Sequence, residues 1–414
     1  QAQLSDTDRR RIEDALRVAR QHAGGVEASV FDSLHDVLLL QQRGEAESAC
    51  LCAWQQLTGP AMAKGAEDTA FYCYDRLVSL DEVGGDPGRF GVSLEAFHDF
   101  CRHSAEHWPH TLLTTSTHDT KRGEDTRLRI DAISESPDEW RALVEGWLQA
   151  HERHRRDGLP DRRTIYLLYQ TLVGAWPIDE ARAWEYMLKA ARESKLFTSW
   201  MEPDAAYEQA LHSFVAALLN DAAFTAEVAA FTAKLDTIGR TSALSQTLLK
   251  LTAPGVPDFY QGSELWQLSL VDPDNRRPVD YEERRRLLHE AKQLGAAEVL
   301  QRPESGLTKP WLIWTTLSLR NQHPELFEGH YDPLYVDGPR RDYVVAFKRG
   351  DGLIAIAPRL VSRLANGWDE TKLMLPSGVW RNWLTGAELP GGDVRLDVLL
   401  HDFPVALLVK DEAR

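Results

Sequence analysis

The stretch Thr111-Leu112-Leu113-Thr114-Thr115-Ser116-Thr117-His118-Asp119-Thr120-Lys121-Arg122 decides the fold prediction, because an apolar run passes directly into a charged one. The apolar half, Thr111 to Thr115, predicts a buried strand. His118 and Asp119 follow it, and then two cations. Charged groups are costly to desolvate, and in barrel folds they gather at the carboxyl ends of parallel strands, where active sites lie. Taken alone, a His-Asp pair at a loop start is usually ordinary capping and hydrogen bonding.

Two further segments mix aromatic and charged residues. Residues 251–266 predict a helix that ends at Pro254-Gly255, a short strand, and an acidic, aromatic loop. Residues 59–74 place a lysine, two carboxylates and three aromatic rings close together. Rings can stack on the C–H face of a sugar while charged groups bond its hydroxyls, so both segments suit a carbohydrate. An ordinary half-buried surface loop is the alternative.

These motifs resemble the maltooligosyltrehalose synthases of the alpha-amylase superfamily. The likeness covers essentially all 414 residues and is carried by residues 62–65, 67–72, 116–122, 166–177, 245–250 and 272–281. It implies an isomerase of trehalose biosynthesis, an intramolecular transglycosylase that converts the reducing-end α-1,4 linkage of a maltodextrin into an α,α-1,1 linkage. It also implies an α/β fold: the C-terminal strands of a (β/α)8 barrel, a TIM barrel, with large helical insertions and a C-terminal antiparallel β-domain.

The same resemblance implies that the catalytic nucleophile and general acid lie on barrel strands that precede this chain. A retaining glycosyl transfer needs two carboxylates about 5 Å apart. We therefore expect the C-terminal part of the family's chain, incomplete as a single enzyme, with an N-terminal barrel polypeptide as partner. Unpaired strand edges of a partial barrel also favour a partner. A non-catalytic maltodextrin-binding protein and a maltodextrin hydrolase of the same superfamily stay open, although the lysine-bearing Met62–Gly65 motif argues against the hydrolase.

The resemblance also implies roles for individual residues. It implies that Asp119 stabilises the transition state without attacking the sugar, and that His118 binds sugar hydroxyls. Lys64 and Lys121 match family lysines near the reducing-end glucose. The remaining candidates for the substrate site are three stacking rings and one loop-positioning carboxylate: Tyr72, Tyr74, Trp266 and Glu264. The chain departs from the family pattern at Cys73, Asp81 and Gly123.

One motif imitates a catalytic one. Arg129-Ile130-Asp131 resembles the Arg-x-Asp around a superfamily nucleophile. A nucleophile belongs at a strand end, whereas residues 123–133 have the apolar spacing of an amphipathic helix. We therefore interpret Asp131 as solvated surface, and Arg127 and Arg129 as ion-pairing residues.

Composition excludes several classes of function. The net charge of −16 argues against a nucleic-acid groove and against an anionic membrane surface. The four cysteines lack Cys-x-x-Cys spacing, so we expect reduced thiols in a cytoplasmic protein. We predict no metal site, no cofactor, no signal peptide and no membrane span. The resemblance implies a maltooligosaccharide as the substrate.

Apolar periodicity, together with the barrel that the resemblance implies, divides the chain into five regions. They are a helical subdomain (1–58), barrel strands with sugar-site loops (59–122), a helical insertion (123–250), the last barrel strand with closing helices (251–330) and the C-terminal β-domain (331–414). A barrel crossover needs about a dozen residues, so the length of region 123–250 indicates an insertion.

Overall fold

A computed structural model describes residues 4–411, apart from the side chain of residue 304. It divides the chain into two compact units, Gln1–Ala70 and Phe71–Arg414. The N-terminal unit consists of α1 (Asp6–His22), α2 (Ala28–Leu38) and α3 (Glu45–Met62), with a π-helical continuation, Ala63–Ala70. The Asp8 N–H donates to the Ser5 hydroxyl at 3.1 Å and so caps α1.

The second unit is mainly helical. Its helices are α4 (Phe71–Cys73), α5 (Leu94–His107), α6 (Glu124–Ile133), α7 (Pro137–His151), α8 (Arg162–Ala175), α9 (Glu180–Ser194), α10 (Ala205–Leu219), α11 (Ala222–Thr252), α12 (Tyr281–Ala291), α13 (Ala296–Leu300), α14 (Thr308–Gln322), α15 (Glu325–Glu328) and α16 (Leu396–Leu399). Helices α6–α11 share an apolar core that includes Trp140, Trp147 and Phe214. The two tryptophans are therefore core residues.

Two short strands, β1 (Leu112–Leu113) and β2 (Val256–Pro257), pair in parallel with Leu112 opposite Val256. The sequence predicts several strand-like pieces over residues 59–122, but the described structure forms only β1 there. The remainder includes the helix α5, whose N-cap residue Ser93 accepts the Ala96 N–H with its hydroxyl at 3.1 Å. Leu112 is 69% exposed, so β1 is not the buried strand that its apolar run predicts.

An antiparallel sheet of seven strands forms the C-terminal part, as the short β-rich runs predict. The strands are β3 (Tyr331–Leu334), β4 (Val336–Asp337), β5 (Val344–Arg349), β6 (Leu353–Pro358), β7 (Lys372–Asn382), β8 (Glu388–Arg395) and β9 (Ala406–Lys410). Their order is β3-β5-β6-β9-β7-β4, and β8 pairs with β7. One face of the sheet packs against the helices through Phe347 and Leu407, and the other covers a second core around Trp380.

Within residues 4–411 no single helix combines the length and the apolar character needed to cross a membrane. Only α10 and α11 taken together, bent by 75°, meet that criterion of length and composition.

Candidate functional site

The loops that follow β1 and β2 lie side by side. The N–H groups of Val256 and Asp258 donate to the carbonyls of Thr111 and Leu113, both at 2.8 Å. Beyond the strands, the Gly123 N–H donates to the Ser269 carbonyl at 2.8 Å. The two loops therefore share the carboxyl end of the strand pair, which is where barrel folds place their active sites.

His118 and Asp119 lie on a turn whose backbone is firmly held. The Asp119 N–H donates to the Thr117 hydroxyl at 3.1 Å. Asn275 Nδ2 and Arg276 Nη2 both donate to the His118 carbonyl at 3.2 Å. The loop after β2 therefore fixes the turn that follows β1.

The side chains of this turn are available to a ligand. His118 and Asp119 are both exposed, and among the described residues neither side chain makes a hydrogen bond or an ion pair. A carboxylate can accept from two hydroxyls and an imidazole can donate to or accept from another. The turn thus presents uncommitted hydrogen-bonding groups on a fixed backbone.

Glu82 anchors the chain just beyond the turn. Its Oε1 accepts the Lys121 N–H at 2.8 Å, and its Oε2 accepts the Arg122 N–H at 3.3 Å and Arg127 Nη1 at 2.8 Å. Sequence reasoning did not identify Glu82, because nothing in its own neighbourhood indicates a contact with residues about 40 positions away.

Lys121 and Arg122 are buried below the turn. The Lys121 ammonium lies 5.7 Å from the centroid of the Tyr72 ring, a cation–π distance. Arg122 Nη2 donates to the Tyr186 hydroxyl at 2.8 Å. Burial raises the pKa of the neighbouring Asp81 to about 8, and Arg122 only partly opposes that shift. Lys121 and Tyr72 therefore adjoin the turn, but the lysine faces an aromatic ring within the protein.

A buried network of charged residues contacts the segment that leads into the turn. Lys309 is fully buried and donates to Glu124 Oε1 at 2.5 Å and to Asp125 Oδ2 at 3.0 Å. Lys250 Nζ donates to the Thr115 hydroxyl at 2.9 Å and lies 3.6 Å from Glu124 Oε2. The network connects α6, α11 and α14 to Thr115, which lies shortly before the turn of His118 and Asp119.

The opposite charges in this network keep one another ionised despite their burial. Burial alone would raise the pKa of Glu124, but Lys309 and Lys250 lower it to about 2. Burial lowers the pKa of Lys250 to about 8, against the attraction of Glu124. In the sequence, this buried network is indicated only by a lysine inside an apolar helical stretch, Leu248-Leu249-Lys250-Leu251.

The other predicted substrate residues occupy different places. Glu264 Oε2 accepts Arg284 Nε at 3.2 Å, and Arg284 also donates to the Gly262 carbonyl at 3.0 Å, so Glu264 holds its loop against α12. The Trp266 indole N–H donates to the Pro303 carbonyl at 3.2 Å. Tyr74 lines a separate cleft of about 660 Å³ between α7, α8 and residues 76–90. Their roles as sugar contacts stay predictions.

Lys64 belongs to the N-terminal unit. Its ammonium pairs with Asp68 within the π-helical stretch. Both residues of the pair belong to that unit. The role of Lys64 at a glucose also stays a prediction.

The Arg129-Ile130-Asp131 motif, which resembles a catalytic one, has a structural role on α6. Asp131 is half-buried because the turn Val78–Leu80 packs on α6, and burial raises its pKa, so the interpretation as solvated surface is wrong. Arg127 pairs with Glu82, and Arg129 Nη2 pairs with Asp236 at 2.7 Å. The expectation of ion pairs is therefore confirmed for both arginines.

No group of three or more His, Cys, Asp or Glu side chains among residues 4–411 could hold a metal ion. Cys50, Cys52, Cys73 and Cys101 are all unpaired.

Comparison with known proteins gives a consistent relationship. The chain is 43% identical over 368 residues to a Mycobacterium tuberculosis protein named as a maltooligosyl trehalose synthase, covering 87% of this chain and 45% of that protein. The structure of maltooligosyltrehalose synthase from Arthrobacter ramosus matches with a TM-score of 0.83 and 38% identity, over 97% of this chain and 51% of that one. A Sulfolobus tokodaii structure, described as a hypothetical maltooligosyl trehalose synthase, matches at 28% identity with a TM-score of 0.74, over 98% and 56%. No protein-family model matches the chain.

The chain is an α/β protein with a C-terminal antiparallel sheet, and its relatives over most of its length are maltooligosyltrehalose synthases. The match therefore shows a similarity to maltooligosyltrehalose synthases over part of their length. It spans about half the length of the relatives that it matches.

Proposed function

We propose that the chain is the C-terminal part of a maltooligosyltrehalose synthase and supplies one side of its sugar site. The observation that carries the proposal is the turn of His118 and Asp119, whose backbone is fixed while its side chains are exposed and uncommitted. In this proposal Asp119 accepts sugar hydroxyls and stabilises the positive charge that develops on the ring in the transition state, and His118 binds a neighbouring hydroxyl.

The reaction breaks the reducing-end α-1,4 bond and retains the released glucose, whose anomeric hydroxyl then attacks the glycosyl intermediate to give the α,α-1,1 bond. Such a retaining transfer needs a nucleophile and an acid about 5 Å apart. The carboxylates near the turn are engaged or buried. Glu82 accepts from four donors, the N–H groups of Val83, Lys121 and Arg122 and the Arg127 guanidinium. Glu124 and Asp125 both accept from Lys309, and Asp81 is 1% exposed. We therefore propose that both catalytic groups come from an N-terminal barrel polypeptide.

The strand pair is consistent with such a partner. Leu112 is 69% and Val256 41% exposed, which leaves apolar strand residues uncovered. A barrel strand in a complete barrel is covered on both faces. The partner proposed here would cover these residues and place its carboxylates opposite Asp119.

The test is reconstitution. The chain is mixed with the separately expressed N-terminal half of a full-length relative and given maltopentaose. We expect reducing ends to disappear while chain length is conserved, and Asp119→Asn to abolish this turnover. Reducing ends that increase would identify a hydrolase. Maltopentaose binding without turnover by any reconstituted pair would identify a binding protein, and either result would overturn the proposal.

A further inference from the structure

The two faces of the parallel strand pair are covered to different extents. On one face, Leu113 packs against the apolar core formed with α11, α14 and the C-terminal sheet. The Phe259 ring follows on that face after β2, with the Lys250 ammonium 3.7 Å from its centroid. Side chains alternate between the faces of a strand, so Leu112 and Val256 lie on the other face, and both are exposed. The face of Leu112 and Val256 is named the open face below.

The open face changes from apolar to polar toward the carboxyl end of the strands. Leu112 lies opposite Val256. Two positions after each of them comes a polar residue, Thr114 after β1 and Asp258 after β2, and both are exposed. The Asp258 N–H donates to the Leu113 carbonyl at 2.8 Å, so the parallel pairing continues as far as Asp258. Asp258 therefore lies on the open face at the end of the strand pair where the loops of the candidate site begin.

The carboxylate of Asp258 is uncommitted. It makes no hydrogen bond and no ion pair with any residue between positions 4 and 411. Lys250 acts on it only from the covered face: burial lowers the pKa of Lys250, and the charges of Glu124 and Asp258 oppose that shift. The Lys250 ammonium itself is buried and donates to the Thr115 hydroxyl at 2.9 Å. Asp258 therefore keeps its hydrogen-bonding capacity for a group on the open face.

A carboxylate at this place requires a polar partner. Inward-facing side chains of a barrel are mainly bulky and apolar, and a buried charge is costly unless it is paired. The N-terminal polypeptide proposed above would cover Leu112 and Val256, the apolar part of the open face. Asp258 lies beyond them, at the end of the strands where barrel folds bind their substrates. Its two carboxylate oxygens can accept hydrogen bonds from the hydroxyls of a sugar.

We infer that Asp258 is a substrate-binding residue, which accepts hydrogen bonds from hydroxyls of the same maltodextrin that Asp119 contacts. The inference rests on the proposed function, which assigns the nucleophile and the acid to the N-terminal polypeptide and so leaves binding as the role of this carboxylate. Asp119 follows β1 and Asp258 follows β2. The sugar would therefore be held from two neighbouring strands.

The first test uses the full chain alone, because Asp258 is already exposed in it. Saturation-transfer difference NMR with maltotriose as the probe measures weak sugar binding. We expect binding that Asp258→Asn weakens about tenfold, because a neutral amide oxygen accepts less strongly than a carboxylate. The melting temperature should stay unchanged, because the side chain makes no hydrogen bond or ion pair with any described residue, and this result shows that the variant is folded.

Asp337→Asn is the matched control. Asp337 is also an exposed aspartate of a short strand, but it belongs to the C-terminal sheet. It makes no hydrogen bond or ion pair with a described residue, and after Asp393 it raises the pKa of a neighbouring lysine, Lys372. The control should leave maltotriose binding unchanged. Absence of maltotriose binding by the unsubstituted chain, or equal affinities for the two variants, would overturn the inference.

A second test separates contact with the sugar from two other roles. In the reconstituted mixture we expect Asp258→Asn to raise KM for maltopentaose and to leave the affinity between the two polypeptides unchanged. Weaker assembly with an unchanged KM would assign Asp258 to a cation of the N-terminal polypeptide, and loss of kcat with an unchanged KM would make it a catalytic group. Either result would overturn the inference. Maltotriose binding that depends on Asp258 without any turnover would support the inference and contradict the proposed function.

Discussion

Lys309 offers the sharpest test of how the turn is supported. Its ammonium is fully buried and bonded to Glu124 and Asp125, which are themselves 2% and 7% exposed. Lys309→Met keeps a long apolar side chain but leaves two buried carboxylates without their shared cation. Removing one partner of a buried ion pair costs about 3–5 kcal/mol.

A second estimate comes from Glu124. The lysines overcome the effect of burial and lower its pKa from 4.5 to about 2. At 1.36 kcal/mol for each pKa unit, this is about 3 kcal/mol of stabilisation, shared between Lys309 and Lys250. We therefore expect Lys309→Met to reduce the free energy of unfolding by about 3 kcal/mol near pH 7.

Urea unfolding followed by tryptophan fluorescence is a suitable assay, because every tryptophan except Trp54 lies in the second unit. Lys234→Met is the matched control: Lys234 pairs with Glu139 at the surface, and such pairs are worth about 0–1 kcal/mol. Since folding lowers the pKa of Glu124, its contribution is present above about pH 4.5 and is lost as the pH falls toward 2. The difference in the free energy of unfolding between Lys309→Met and the unsubstituted chain should therefore become smaller as the pH falls over that range. Equal losses for the two lysine variants near pH 7 would refute the reasoning.

Three further predictions concern the turn and its surroundings. Asp119→Asn should leave the melting temperature within about 1 °C, because the exposed side chain makes no hydrogen bond or ion pair with any described residue, yet reduce turnover of the reconstituted enzyme at least about a hundredfold. Glu82→Gln should lower both the melting temperature and the turnover, because an amide replaces a charged acceptor of four donors; unchanged turnover would contradict an anchoring role. Folding raises the pKa of Asp81 from 3.8 to about 8, so stability should fall as the pH rises through this interval. Asp81→Asn should remove that slope and stabilise the chain by about 1–3 kcal/mol at pH 8, as measured by urea unfolding at several pH values.

The helices and the C-terminal strands were predictable because their signals are local. The region 1–58, predicted to be helical, contains α1, whose N-cap serine lies within the same short segment. The region 331–414, predicted to be a β-domain, contains β3 to β9. The sequence boundary near residue 58 differs from the observed division after Ala70. Helix α3 continues through Ala63–Ala70 as a π-helix, which apolar spacing at 3.6 residues per turn does not indicate.

The sequence by itself indicated the resemblance to maltooligosyltrehalose synthases and the helical and β-rich regions. It also indicated that His118 and Asp119 lie in the loop after a short strand. Only the tertiary structure decided what holds that turn: Glu82 reaches it from about 40 residues before, Asn275 from about 157 after, and Lys309 supports its base from still further along the chain. It also decided that Lys121 is buried while Asp119 is exposed. The physical reason is that helix caps and apolar periodicity act between near neighbours, whereas hydrogen bonds, ion pairs and desolvation depend on which distant segments the folded chain brings together.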